Sequence, residues 1–141
     1  MPIKTFRGLI ADGNQDTIVL HTNDGSTGYR IVKFQGIGKE PGQQEQEHTL
    51  KIYKVSQSTV DNKVDFSNQT LLGVVYVGDN AANAYPFFTG IIFDRETFNQ
   101  DIYVTHEDTQ GSEPCNYYIE LEQVKLDLNE NTVATLKDIR N

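Results

Sequence analysis

Three histidines, His21, His48 and His106, and a single cysteine, Cys115, are the chain's nitrogen and sulfur donors for a transition metal. They are far apart, and none has a second ligand-type residue at the short helical or hairpin spacing from which metal sites are usually assembled. No metal is expected on them, and each histidine reads as a structural or surface residue. One cysteine also excludes an intramolecular disulfide. Cys115 follows Glu107, Asp108 and Glu113, whose charge raises a thiol pKa, so it reads as a small space-filling residue rather than a nucleophile. Asp12, Asn14 and Asp16 reproduce the opening of a calcium loop, but Thr17 stands where that loop needs glycine and an apolar strand follows at once. A turn before a strand explains them better. The carboxylate pairs Asp94/Glu96 and Glu120/Glu122 could divide acid and base roles. The first flanks a strand end and the second alternates outward along a strand, so solvation accounts for both. No nucleophile elbow, phosphate-cradling glycine loop or dinucleotide fingerprint occurs. These residues point to a non-enzyme with no cofactor.

One cluster suits contact rather than catalysis. Tyr85, Pro86, Phe87 and Phe88 lie together in an expected loop over 80–89. Such a cluster either plugs the end of its own domain or forms an exposed apolar patch, and exposed patches mark interfaces. It could also stack a sugar, although the chain has no tryptophan. Charge is unevenly placed. Residues 1–39 carry five basic and three acidic side chains, whereas 94–122 carry one basic and eight acidic ones. Lys4, Arg7, Arg30 and Lys33 are therefore candidates, with the aromatic cluster, for contacts with the acidic stretch of another copy, apolar contact supplying affinity and charge setting orientation.

The elements that would hold these residues show a period of two, rich in β-branched and aromatic side chains. Strands are expected at 3–10, 17–22, 29–36, 48–56, 71–77, 90–94, 101–106, 117–128 and 132–139, the last also admitting a short helix. Asp12-Gly13-Asn14, Asn23-Asp24-Gly25 and Gly78-Asp79-Asn80 supply the residues that turns need. The segments 36–47 and 80–89 read as long crossings between sheets. Tyr117, Ile119 and Leu121 share one parity, while Val124, Leu126 and Leu128 share the other. A β-bulge at Glu122-Gln123 would restore one continuous apolar face. The sum is an all-β chain, a single-domain antiparallel β-sandwich over residues 1–141, jelly-roll-like in its crossings.

Composition sets outer bounds. With 141 residues the chain suits one domain, and its 37% apolar content is enough for a core. A formal charge of −8 opposes approach to phosphate backbones and anionic lipid. Neither nucleic acid nor membrane is expected as a partner, and the N-terminus lacks the apolar stretch of a signal peptide, which places synthesis in a host cytoplasm. The run Tyr117-Tyr118-Ile119-Glu120-Leu121-Glu122 through Lys125-Leu126-Asp127-Leu128 to residues 132–141 resembles a group of small virion structural proteins of marine tailed phages. Lys4-Thr5-Phe6-Arg7-Gly8, the stretch 27–34, Ile92-Phe93-Asp94 and residues 99–103 agree with that group. The resemblance implies a virion structural role. Within that role a capsid-surface decoration (cement) protein acting in many copies is expected first, and a tail, neck or fibre component second. The expected partners are the chain itself, as a homo-oligomer with a trimer as the form suggested by the aromatic cluster at 85–88 and by edge strands that need protection, and other virion proteins such as the major capsid protein. A carbohydrate-binding module for host attachment is the competing reading from another class.

Overall fold

The computed structural model describes residues 2–23, 25–42, 45–79, 87–93 and 96–127, the side chains of Asp79 and Phe87 excepted. Eight strands are formed: β1 (Ile3–Ile10), β2 (Gln15–Ile18), β3 (Thr27–Gly38), β4 (Gln46–Tyr53), β5 (Leu71–Asp79), β6 (Phe87–Ile92), β7 (Ile102–Asp108) and β8 (Cys115–Lys125). They make a three-stranded sheet, β1-β8-β3, and a five-stranded sheet, β2-β7-β4-β5-β6, with every ladder antiparallel. The two sheets pack as a β-sandwich, as expected. First pairs with last and second with seventh, the order that a rolled-up long hairpin produces. A jelly roll would also join β3 to β6, but β6 hydrogen-bonds β5, and among the described residues no β3–β6 ladder forms. The strand expected at 132–139 lies outside the described residues.

The core follows from alternation. Inward positions carry Ile10, Phe34, Leu50, Ile52, Val75, Val104, Ile119 and Leu121, all buried, and each such side chain contributes about 1.5–3 kcal/mol. Gly13, at φ 75°, closes the β1–β2 turn, whose Asn14 amide donates to the Ala11 carbonyl at 3.2 Å. Gly25, at φ 67°, serves the next turn.

Three expectations are corrected. Phe87 and Phe88 lie in β6, not in a loop, because β6 extends the β5 ladder through Gly78↔Phe87 and Val77↔Phe88. Gly78 and Asp79 accordingly belong to β5 rather than to the expected turn. The bulge is not in β8. That strand pairs β3 without interruption from Leu121 to Lys125, and the irregularity sits opposite, between Ile31 and Lys33, leaving Val32 exposed. β8 meets its change of parity differently: Val124 is only half-buried, while Leu126, just past the strand, is buried against Gly28.

The segment 54–70 spreads over part of the outer face of the five-stranded sheet. Beneath it lie Tyr53, Leu71 and Val74, with Phe93 packed against them and Phe66 edge-on to Phe93. Lys51 is buried here, its ammonium donating to Asp61 Oδ1 at 3.0 Å and to the Lys63 carbonyl at 2.5 Å. Lys54 is likewise held by Glu96.

Candidate functional site

The outer face of the three-stranded sheet is the surface that contact would use. Cross-strand register sets Arg7, Tyr118 and Gln35 in one row and Leu9, Asn116 and Ile37 in the next. Inward-facing Tyr117 lies in the row between them, flanked by Gly8 and Gly36, and its hydroxyl donates to Asp16 at 3.1 Å. Burial pushes that hydroxyl's pKa up, and the Asp16 carboxylate adds to the effect. A Cβ at Gly8 would stand 2.9 Å from the Tyr117 oxygen, and one at Gly36 would stand 2.4 Å from Leu50, so close packing demands glycine on both sides. Together with Phe88 these rows line a groove of about 770 Å³. Leu9, Ile37 and Phe88 are 48%, 61% and 53% exposed, which makes them one apolar patch rather than scattered side chains.

Of the residues singled out for contact, Arg7 and Phe88 meet at this groove. Tyr85 and Pro86, and the Phe87 side chain, lie outside the described residues. Arg30 is already engaged: its guanidinium pairs with Glu122 at 3.0 Å on the same sheet. Lys33 stands opposite Glu120 in the ladder, and Lys4 opposite Leu121. The basic N-terminal region and the acidic stretch therefore already meet inside one chain, through the β3–β8 ladder. Two further acidic side chains are also engaged. Glu120 accepts from the Tyr118 hydroxyl at 2.7 Å, and Asp12 from the Asp108 amide at 2.8 Å.

Sequence reasoning missed a second cluster. His48 on β4 and His106 on β7 are 58 residues apart, but neighbouring strands bring His48 Nδ1 to 2.7 Å from His106 Nε2. Cys115 of β8 joins them from the opposite sheet, and all three side chains are fully buried. The row of contacts runs on at both ends. His48 Nε2 lies 2.6 Å from Gln46 Oε1, and His106 Nδ1 lies 3.2 Å from the Ala11 carbonyl. Gln46 is fixed in orientation because its Nε2 donates to the Glu40 carbonyl at 2.8 Å. Both ends of the row are acceptors, so three contacts need three protons, and two neutral imidazoles carry two. A proton in each of the three contacts would give the row one positive charge. Burial pushes His106 below the usual imidazole range, against the pull of Ala11, Asp12 and Asp108.

Asp108 supplies the balancing charge. Burial pushes its carboxyl up, but backbone amides of Glu47, Glu113 and Gln110, with His48 nearby, outweigh that and hold it below the usual carboxylate range. Burial, with Asp108 adding to it, raises the Cys115 thiol to about 12. The expected direction was right, though burial rather than the acidic stretch is the larger cause. With its three donors shut away from solvent, this cluster can hold an ion but cannot receive a substrate. The one sequence signal for it was parity: His48 shares the buried face with Leu50 and Ile52, as His106 does with Ile102 and Val104.

No family model matches this chain, and no curated protein is similar enough to count as a match.

Proposed function

We propose that this β-sandwich is a non-enzymatic structural protein of a tailed-phage virion that works by repeated contact, as a capsid-surface decoration protein in many copies. The observation that carries a contact role is the apolar patch in which Leu9 and Ile37, on a face of the three-stranded sheet with no cover among the described residues, share a groove with Phe88 of β6 and with Arg7. The resemblance of the sequence to virion proteins of marine tailed phages supplies the setting. The partners are further copies of the chain, a trimer being the expected form, and the major capsid protein, in a virion assembled in the host cytoplasm. Small contacts multiplied over a shell stabilise it, since each copy adds its own increment. The experiment is cosedimentation of the purified chain with phage heads. Saturable binding supports decoration, whereas labelling confined to the tail or neck moves the protein to the runner-up position there.

One observation favours the reading as a carbohydrate-binding module. Tyr118 and Phe88 share the groove with the guanidinium of Arg7 and the amides of Gln35 and Asn116, a mixture of ring faces and planar donors that suits a sugar. Binding of soluble glycans that is lost in Tyr118→Ala would favour it.

A further inference from the structure

We propose that His48, His106 and Cys115 bind one borderline transition-metal cation, with Zn²⁺ the ion that fits the donor set, and that the bound ion fastens the two sheets together. The three donor atoms lie within 4.8 Å of one another and come from β4, β7 and β8, so they span both sheets. Two nitrogens and a sulfur are the donor types that zinc takes.

The hydrogen-bond arithmetic supports a cation at this point. Gln46 Oε1 and the Ala11 carbonyl each call for an N–H, from His48 Nε2 and His106 Nδ1. That leaves His48 Nδ1 and His106 Nε2 as two lone pairs facing each other across 2.7 Å. A carbonyl behind each ring, holding the far N–H, is the outer arrangement that orients metal-ligating histidines. Gly38 makes room for it, since a Cβ there would stand 2.3 Å from Gln46 Oε1 and 2.8 Å from His48 Nε2.

The 2.7 Å spacing is that of a shared proton, and zinc needs more room. With Zn–N bonds of about 2.0–2.1 Å in a tetrahedral arrangement the nitrogens stand roughly 3.3 Å apart, so the rings part by about 0.6 Å as the ion enters. The charge is conserved in kind. One Zn²⁺ replaces the proton between the rings and the thiol proton of Cys115, two protons leave to solvent, and the site keeps its single net positive charge beside Asp108.

The test uses the full chain, stripped with a chelator and titrated with Co²⁺ as the spectroscopic probe and with Zn²⁺. One equivalent of each should bind, cobalt should show a thiolate charge-transfer band in the near ultraviolet, and zinc should raise the melting temperature. Cys115→Ser should lose the band. Gln46→Ala, which removes the carbonyl behind His48 and with it the hydrogen bond to the Glu40 carbonyl but no proposed ligand, should keep the band and weaken zinc binding about 10- to 100-fold. Binding without the band removes Cys115 from the site and overturns the proposal. No binding, with an unchanged melting temperature, also overturns it and leaves a proton alone between the rings.

Discussion

The two sheets treat their outer faces in opposite ways. On the five-stranded sheet, residues 54–70 cover Tyr53, Leu71 and Val74 and bury the Lys51 ammonium. On the three-stranded sheet, Leu9 and Ile37 stand in solvent beside Tyr118. Sequence alternation alone would predict polar outer faces on both. One sheet departs from that rule by supplying its own cover from within the chain. The other departs from it with no cover among the described residues, and the proposed contact role rests on that difference.

Substitutions should separate the two faces. Leu71→Ala, beneath the cover, should cost about 2–5 kcal/mol of stability in chemical denaturation, because a cavity is left among packed neighbours. Ile37→Ser, on the open face, should change stability by no more than about 0.5 kcal/mol, since little packing is lost. If both variants melt alike, the faces do not differ as described.

Asp61→Asn probes the cover itself. The Lys51 ammonium stays buried but loses its charged acceptor, and a cost of about 1–3 kcal/mol is expected. Asp61 is 39% exposed, which keeps the figure well below that of a fully buried pair. The same residue gives the cover a pH dependence. The Lys51 hydrogen bond, working against a smaller push from burial, holds Asp61 below the usual carboxylate range. A carboxyl depressed in the folded state contributes fully above the unfolded value of about 3.9, and loses that contribution as pH falls through the folded value. Acid unfolding of Asp61→Asn should therefore show a shallower slope below about pH 4 than the wild type does.

The open face should show little dependence on charge. Arg7→Glu beside the groove should weaken assembly only at low salt, because an exposed pair is worth about 0–1 kcal/mol and is screened over roughly 10 Å at 0.1 M. Loss of assembly at all salt concentrations would make Arg7 an anchor rather than a guide.

The sequence already showed which faces are apolar, but not what covers them. Strands β1, β3, β4, β5, β7 and β8 were legible because Val, Ile, Leu and Tyr alternate along them, and the sandwich followed. β6 was drawn too short because Tyr85, Pro86, Phe87 and Phe88 read as a loop cluster, whereas pairing with Gly78 and Val77 extends the strand to Phe87. The bulge was assigned to the strand with the parity change, yet β8 is paired on both sides and stays regular, so the extra residue falls in β3 at Val32. Of the contact surface, Arg7 and Phe88 were named, but Leu9 and Ile37 were not. Leu9 looked like an ordinary member of its strand, and Ile37 was read into the crossing over 36–47, until the register extended β3 to Gly38 and set the two on either side of Asn116. The His48–His106–Cys115 cluster was invisible for the same reason. Its members meet only through nonlocal ladders and the packing of one sheet on the other.

The most direct test of the open face is sedimentation velocity of the wild type and of Leu9→Ser/Ile37→Ser, over micromolar concentrations and in the presence of purified phage heads. The account predicts that the wild type self-associates or sediments with heads at all ionic strengths, and that the double variant, with an unchanged melting temperature, remains a free monomer. A wild type that stays monomeric throughout and fails to sediment with heads would contradict it, as would a double variant that assembles normally.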